Sequence, residues 1–339
     1  MATPYVGLMQ LTPSRWPVRA LVATLISIVA LSVAGPRPAF APAPTAAEIE
    51  AEAVPIIVLK GDPGRPAALD EAKWTPVADE WAWSVGLPRN RLVLYYGNPL
   101  SAALGPLGAY GDAELVDRLR TQAAAFDSLD PAHPTVSGFD LVDPVAQPTS
   151  QDDGTYTRRM DGPTVEHFVN LASANHMYFF FDLQIGRSTV DHEIDLLWPW
   201  IQRPNVEISL DPEFAMSPAE VPGVQYGEMR AAELNRLIER LSKLVSERGL
   251  PDKVLLIHQF IPQLLPDRDQ IKPMPGVQIV ICEDGVGSPG AKTAGYNQFA
   301  APGTAGYPGF KVFSTLDKPA MSNQDVMGLS PAPLVVMYQ

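Results

Sequence analysis

The chain has 339 residues, 46% hydrophobic and 19% charged, enough for one large domain or two modest ones with a buried core. Its 38 Asp and Glu outnumber 25 Lys and Arg, and the net charge of -13 argues against nucleic acid or an anionic membrane surface as the main partner. The single cysteine, Cys282, excludes a disulfide framework, a cysteine-ligated zinc site and an iron–sulfur cluster.

Arg15 and Arg19 precede an uncharged apolar run over 20–34, which Gly35, Pro36 and Arg37 break. A basic flank before such a run is the pattern of a secretory signal or a short uncleaved anchor. Residues 1–35 are therefore expected to direct export, leaving the protein secreted or anchored on the extracytoplasmic face. Ala39-Phe40-Ala41 is the small-residue pattern of a cleavage site. Residues 36–88 read as an Ala/Pro-rich linker and an irregular lead-in, with an extra strand at 55–60 and Trp74, Trp81 and Trp83 in the later part.

From there to residue 339, short apolar runs alternate with helical patterns. The runs are 92–96, 135–142, 177–182, 206–210, 254–257, 277–281, 310–314 and 334–338. They are near-continuously apolar and rich in Val, Ile and Phe, as strands buried on both faces require. Helices are expected at 113–126, 163–174, 188–201 with Ser188 as cap, 227–248 and 323–328. In the fourth of these, Leu234, Leu237, Ile238, Leu241 and Leu244 recur at three and four, and Gly249 with Pro251 stops the helix. After the fifth and sixth runs the sequence is Pro/Gly-rich, so helices there are expected to be short or replaced by loops.

Eight such strands predict an α/β fold, a (β/α)8 TIM-type barrel over 89–339, in preference to two smaller α/β domains. No Gly-rich phosphate turn follows the first strand, which runs into Tyr96-Gly97-Asn98-Pro99. The sequence reaches Gln339 at the end of the eighth run, so the expected barrel lacks its last helix, with the lead-in covering the gap.

In such a barrel the strand ends converge on one rim, where active sites assemble. The candidates there are Tyr96, Asp140, Asp143, Asp182, Gln184, Asp211, Glu213, His258, Gln259, Glu283, Asp284, Asp317 and Tyr338. Ionisable groups at apolar strand ends are costly to bury without partners, water or a ligand. Opposed carboxylates in a partly dry cleft push each other's pKa apart, which makes an acid and a base from one residue type. Asp143 and Asp317, each closely followed by proline, also fit turn or capping roles, and Asp182 and His258 also fit loop anchors. Cys282, inside an apolar strand, reads as a buried inert thiol, and no Gly-x-Ser-x-Gly is present.

Paired carboxylates with Tyr, Gln and His around a barrel mouth suit glycoside cleavage, in which one acid protonates the leaving oxygen and the other is nucleophile or base. Asp211-Pro212-Glu213 at the end of the fourth strand resembles the Asp-x-Glu ending of the strand-four motif of chitinase-like glycosidases. The chain also resembles uncharacterised exported bacterial (β/α)8-barrel proteins in its strand layout. The chitinase-like resemblance implies Glu213 as proton donor and Asp211 as its orienting neighbour. It departs from that family at Ser209 and Val206, where the motif has Asp, and it lacks the Asn-Glu pair of the large retaining-glycosidase clan.

The expectation is an exported, monomeric, glycan-directed barrel whose partner is a carbohydrate or cell-wall glycan, touching the membrane only through its amino-terminal segment. Glu213, Asp211 and either Glu283 or Asp284 are its catalytic candidates. Tyr96, Asp140, Asp182, Gln184, His258, Gln259, Asp317 and Tyr338 are expected to bind substrate. No cofactor is expected. Two alternatives remain: a non-catalytic envelope protein that binds glycan or has a structural role, and a divalent-metal-assisted hydrolase using Asp182, Asp211, Glu213, His258 and Asp284. Only one rim His is present, which argues against zinc and leaves calcium or magnesium.

Overall fold

The computed structural model describes residues 86–303 and 305–339. The export segment, the linker, the strand at 55–60 and the three tryptophans lie outside the described residues. Among those residues, no helix is long and apolar enough to cross a membrane.

Among the described residues ten strands form in chain order: β1 (Arg91–Gly97), β2 (Thr135–Val142), β3 (Val145–Ala146), β4 (Thr157–Arg158), β5 (Tyr178–Leu183), β6 (Val206–Leu210), β7 (Lys253–His258), β8 (Val277–Glu283), β9 (Tyr307–Val312) and β10 (Val335–Tyr338). Eight of them close a parallel barrel in the order β1-β10-β9-β8-β7-β6-β5-β2. Helices α1 (Pro106–Ala109) and α2 (Asp112–Leu129) connect β1 to β2, α3 (Gly162–Ala174) precedes β5, and α4 (Val190–Ile201) precedes β6. Then α5 (Ala231–Arg248) leads to β7, α6 (Pro289–Phe299) to β9 and α7 (Asn323–Met327) to β10. This is a TIM-type (β/α)8 barrel.

Two apolar layers explain why the strands read as continuous runs. Alternate residues such as Leu92, Leu94, Phe180, Leu256, Val280 and Met337 fill the interior. Their neighbours, among them Val93, Phe179, Phe181, Leu255, Ile281 and Val336, pack under the helices. Each fully buried side chain of this size contributes about 1.5–3 kcal/mol relative to exposure. Gly138 is the interior residue of β2 where no side chain fits: a Cβ would stand 2.7 Å from Leu94 Cδ2 and 3.0 Å from the Tyr178 carbonyl. At the floor, Leu87 joins the interior cluster, its N–H donating to Gln278 Oε1 at 3.0 Å. The described end of the lead-in thus packs at the amino-terminal end of the barrel, opposite the mouth.

Several elements differ from the sequence expectation. The cap of α4 is Thr189, whose side chain accepts from His192 N–H, because the helix starts at Val190 and places that amide over Thr189. β9 begins at Tyr307 although Pro308 and Gly309 read as loop; Pro308 stays in the ladder through its carbonyl, which accepts from Leu334 N–H at 2.8 Å. After β7 the connection holds only two short 3-10 turns, as expected, but after β8 the 11-residue α6 forms. Ser288 caps it and Pro289 opens its first turn. The β3–β4 hairpin, inserted between β2 and α3, has no counterpart in the sequence reading.

Candidate functional site

The parallel strands all open on one mouth, and alternation turns every second residue inward there. Tyr96 comes from β1, Asp140 from β2, Asp182 and Gln184 from β5 and the residue just past it, and Ser209 and Asp211 from β6 and the residue just past it. His258 comes from β7, Cys282 and Asp284 from β8 and the residue after it, and Lys311 from β9. All ten are buried. Glu213 joins them from the 3-10 turn Pro212–Phe214 that follows β6. Phe214 N–H donates to the Asp211 carbonyl at 3.1 Å and Gly227 N–H to the Glu213 carbonyl at 2.7 Å, so the backbone carrying both acids is pinned.

His258 sits between two carboxylates. Its Nε2 lies 3.1 Å from Asp182 Oδ2, and its Nδ1 lies 3.1 Å from Asp284 Oδ2, a charge contact off the line a hydrogen bond needs. Burial alone would lower the imidazole pKa, but the charges of Asp284 and Asp182 outweigh it and hold His258 well above its ordinary value. Ser209 Oγ donates to Asp140 Oδ2 at 3.0 Å. Gln184 Nε2 donates to Tyr96 OH at 3.3 Å and to Asp211 Oδ2 at 3.2 Å, while its Oε1 accepts from Ala146 N–H at 3.2 Å. The unforeseen β3–β4 hairpin therefore orients a rim residue. Lys311 Nζ lies 3.5 Å from the centroid of the Tyr96 ring and makes no hydrogen bond or ion pair among the described residues.

The acids differ sharply in proton affinity. Burial and the Asp211 and Asp284 charges push Glu213 well above the carboxylate range. Burial and Asp182 raise Asp140 strongly and lift Asp211 to about 7. Asp284 goes the other way: burial would raise it, but His258, with help from Lys311, draws it below its ordinary value. Tyr96, buried beside Asp182 and Asp211, is held well above its usual value and stays a neutral phenol. Asp140 Oδ1, Asp182 Oδ1, Asp211 Oδ1, Glu213 Oε2 and Asp284 Oδ1 are buried with no hydrogen-bond partner among the described residues. The mouth is thus a concentration of unsatisfied acceptors.

The barrel gathers Tyr96, Asp140, Asp182, Gln184, Asp211, Glu213, His258 and Asp284, but four other candidates lie elsewhere. Glu283 points outward against α6, its Oε2 3.5 Å from Lys292 Nζ and its Oε1 accepting from Gly285 N–H. A Cβ on Gly295 of α6 would come within 2.8 Å of Glu283 Oε1, so a larger residue there would have to displace that carboxylate. Asp317 accepts from Gly287 N–H and Phe313 N–H, both at 2.9 Å, and fixes a loop. Gln259 is held by Arg268 at 2.8 Å, and Tyr338 packs in the outer layer near Phe126 with its OH donating to Asn323. Asp143, noted as a turn residue, accepts from Met160 N–H at 2.9 Å, and burial raises its carboxyl to about 7.

Sequence reasoning missed Ser209 as an Asp140 partner and Lys311 altogether. Lys311 stands alone within an apolar run, on the same parity as Gly309 and Phe313, and that solitary charge at an inward position was the available signal. No protein-family model matches the chain, and no curated protein matches it.

Asp140, Asp182 and His258 each offer a ligand atom within 4.8 Å of the others, a spacing that could hold a cation. A histidine bound by carboxylates at both nitrogens is favoured as imidazolium, however, and an imidazolium has no lone pair for a metal. The arrangement is better suited to moving protons, since one mouth pushes Glu213 toward its protonated form and Asp284 toward its ionised form.

Proposed function

We propose that this barrel cleaves glycosidic bonds by acid and carboxylate catalysis. Glu213 donates a proton to the leaving oxygen, Asp211 orients it, and Asp284 is the second carboxylate, acting as nucleophile or base. Of the two sequence candidates for that second role, Asp284 is preferred because Glu283 faces α6. The observation that carries the reading is the opposite displacement of two neighbouring acids in one mouth, Glu213 upward and Asp284 downward. Such a split assigns acid and base among like residues. Tyr96, Gln184 and His258 would hold the sugar and the two acids in place. Export is part of the same proposal, resting on the basic and apolar amino terminus.

The test is a panel of oligosaccharides incubated with the full chain, scoring new reducing ends. Glu213→Gln and Asp284→Asn are each expected to reduce turnover by about 10²–10⁴-fold with little change in KM. Turnover by Glu213→Gln equal to wild type removes the proposed acid. The cation spacing of Asp140, Asp182 and His258 supports a second reading, metal-assisted hydrolysis, which requires activity to vanish with a chelator and return with calcium, magnesium or manganese.

A further inference from the structure

Hydrogen-bond demand in the mouth is one-sided. Five buried carboxylate oxygens, one each on Asp140, Asp182, Asp211, Glu213 and Asp284, meet no donor among the described residues. The Glu213 side chain makes no hydrogen bond or ion pair there, although it is only 4% exposed. Against these five acids stand two cations, His258, already engaged by Asp182 and Asp284, and Lys311 on the Tyr96 ring, so without a ligand the excess is relieved by protons held on Asp140, Asp211 and Glu213, whose carboxyls burial and the neighbouring acids raise.

A ligand that fits must bring donors and positive charge. A hydroxyl donates one hydrogen bond and leaves those carboxyls protonated, whereas a primary ammonium donates three and takes the place of one of the protons as the charge that answers a carboxylate. A carboxylate, a sulfate or an acetamido carbonyl would bring further acceptors to a site whose uncommitted donor is the Lys311 ammonium, and unpaired buried polar groups are costly. The Asp140 and Asp182 carboxylates have ligand atoms within 4.8 Å of one another, close enough to grip one ammonium together.

Building on the glycan-cleaving reading, we infer that the substrate is a glycan of amino sugars with free primary ammonium groups, one of them seated between Asp140 and Asp182. Lys311 then acts as a selectivity element, lying over Tyr96 and occupying the ring face that a second cation would otherwise use.

The test compares oligomers of equal length and linkage on the full chain: glucosamine and galactosamine oligomers, their N-acetylated forms, and the corresponding neutral glucose and galactose oligomers. Binding is read by calorimetry in the cold, and cleavage by reducing ends. A free-amine oligomer is expected to bind at least about tenfold tighter than its acetylated and neutral counterparts. That preference should shrink severalfold in about 0.5 M salt, where charge pairing is screened, and in Asp140→Asn. The salt series uses wild-type protein and decides the matter if the variant does not fold. Equal or tighter binding of an acetylated or neutral oligomer overturns the ammonium inference while leaving glycan cleavage standing. A calcium-induced rise in melting temperature that abolishes amine binding also overturns it. Failure of every oligomer in the full glycan panel to bind or be cleaved removes the glycan reading itself.

Discussion

Replacing Asp211 by Asn is expected to stabilise the barrel, by an amount that grows with pH. The Asp211 carboxyl is 3% exposed, and burial with the nearby Asp182 charge raises it from 3.8 to about 7. A carboxyl that binds its proton more tightly when folded costs nothing below its unfolded value. The cost grows as pH climbs from about 4 to about 7 and is constant above that. Linkage from those two values gives a penalty of roughly 2 kcal/mol at pH 5 and roughly 4 kcal/mol at pH 7. Asn keeps the acceptor for Gln184 Nε2 and drops the charge, so Asp211→Asn should gain about 2 kcal/mol more at pH 7 than at pH 5. Urea unfolding of both proteins at the two pH values measures this directly. A gain that is constant, or smaller at pH 7, would refute burial as the source of the raised carboxyl. Loss of turnover in the same variant would mark the strained acid as one kept for function at the expense of stability.

Activity on any cleaved glycan is expected to follow a bell in pH. Its acid limb lies below the ordinary aspartate range, because Asp284 must be ionised, and its alkaline limb lies above the ordinary glutamate range, because Glu213 must be protonated; Glu213→Gln should abolish the alkaline limb. Lys292→Met leaves buried Glu283 and Asp317 without their ammonium, 3.5 and 3.6 Å away, and should cost about 3–5 kcal/mol in denaturant unfolding, with the KM of the folded fraction unchanged. A loss under about 1 kcal/mol would mean the ion pairs do not hold that loop. Gly138→Val should cost at least about 1–3 kcal/mol in a thermal melt through overpacking against Leu94 and the Tyr178 carbonyl, and a neutral result would contradict the packing of the barrel interior.

The strands were legible because each is covered on both faces. Tyr178-Phe179-Phe180-Phe181 has no polar interruption, and every one of the four is buried. The α5 helix was legible from its spacing of three and four, and Gly249 ends it in the left-handed region at φ 63, which glycine adopts without strain. The β3–β4 hairpin was not, because two-residue strands carry no period to detect. Its pairing rests on Gln147 N–H donating to the Tyr156 carbonyl and on partners 10 residues and more apart. The start of β9 was hidden by Pro308 and Gly309, which close a Pro/Gly-rich stretch just before the apolar run at 310–314.

At the mouth, the rim position of the acids was legible but the direction of each side chain was missed, although the same alternation encodes it. Val280 and Cys282 fill the interior, so Asp284 continues inward while Glu283, one residue earlier, must face α6 with Ile281. What alternation could not supply is the distance around the closed barrel that sets His258 between Asp182 and Asp284. The consequence is two buried acidic networks with opposite character. Around Glu283 and Asp317, the Lys292 ammonium lies 3.5 and 3.6 Å away and backbone N–H groups reach both carboxylates, leaving Glu283 Oε2 with a charge contact to Lys292 and no hydrogen bond. Around Asp140, Asp211 and Glu213, oxygens remain unanswered although the side chains are equally dry. Isosteric amides would relieve the second arrangement without changing its shape, so its unanswered oxygens are intelligible if a ligand completes it.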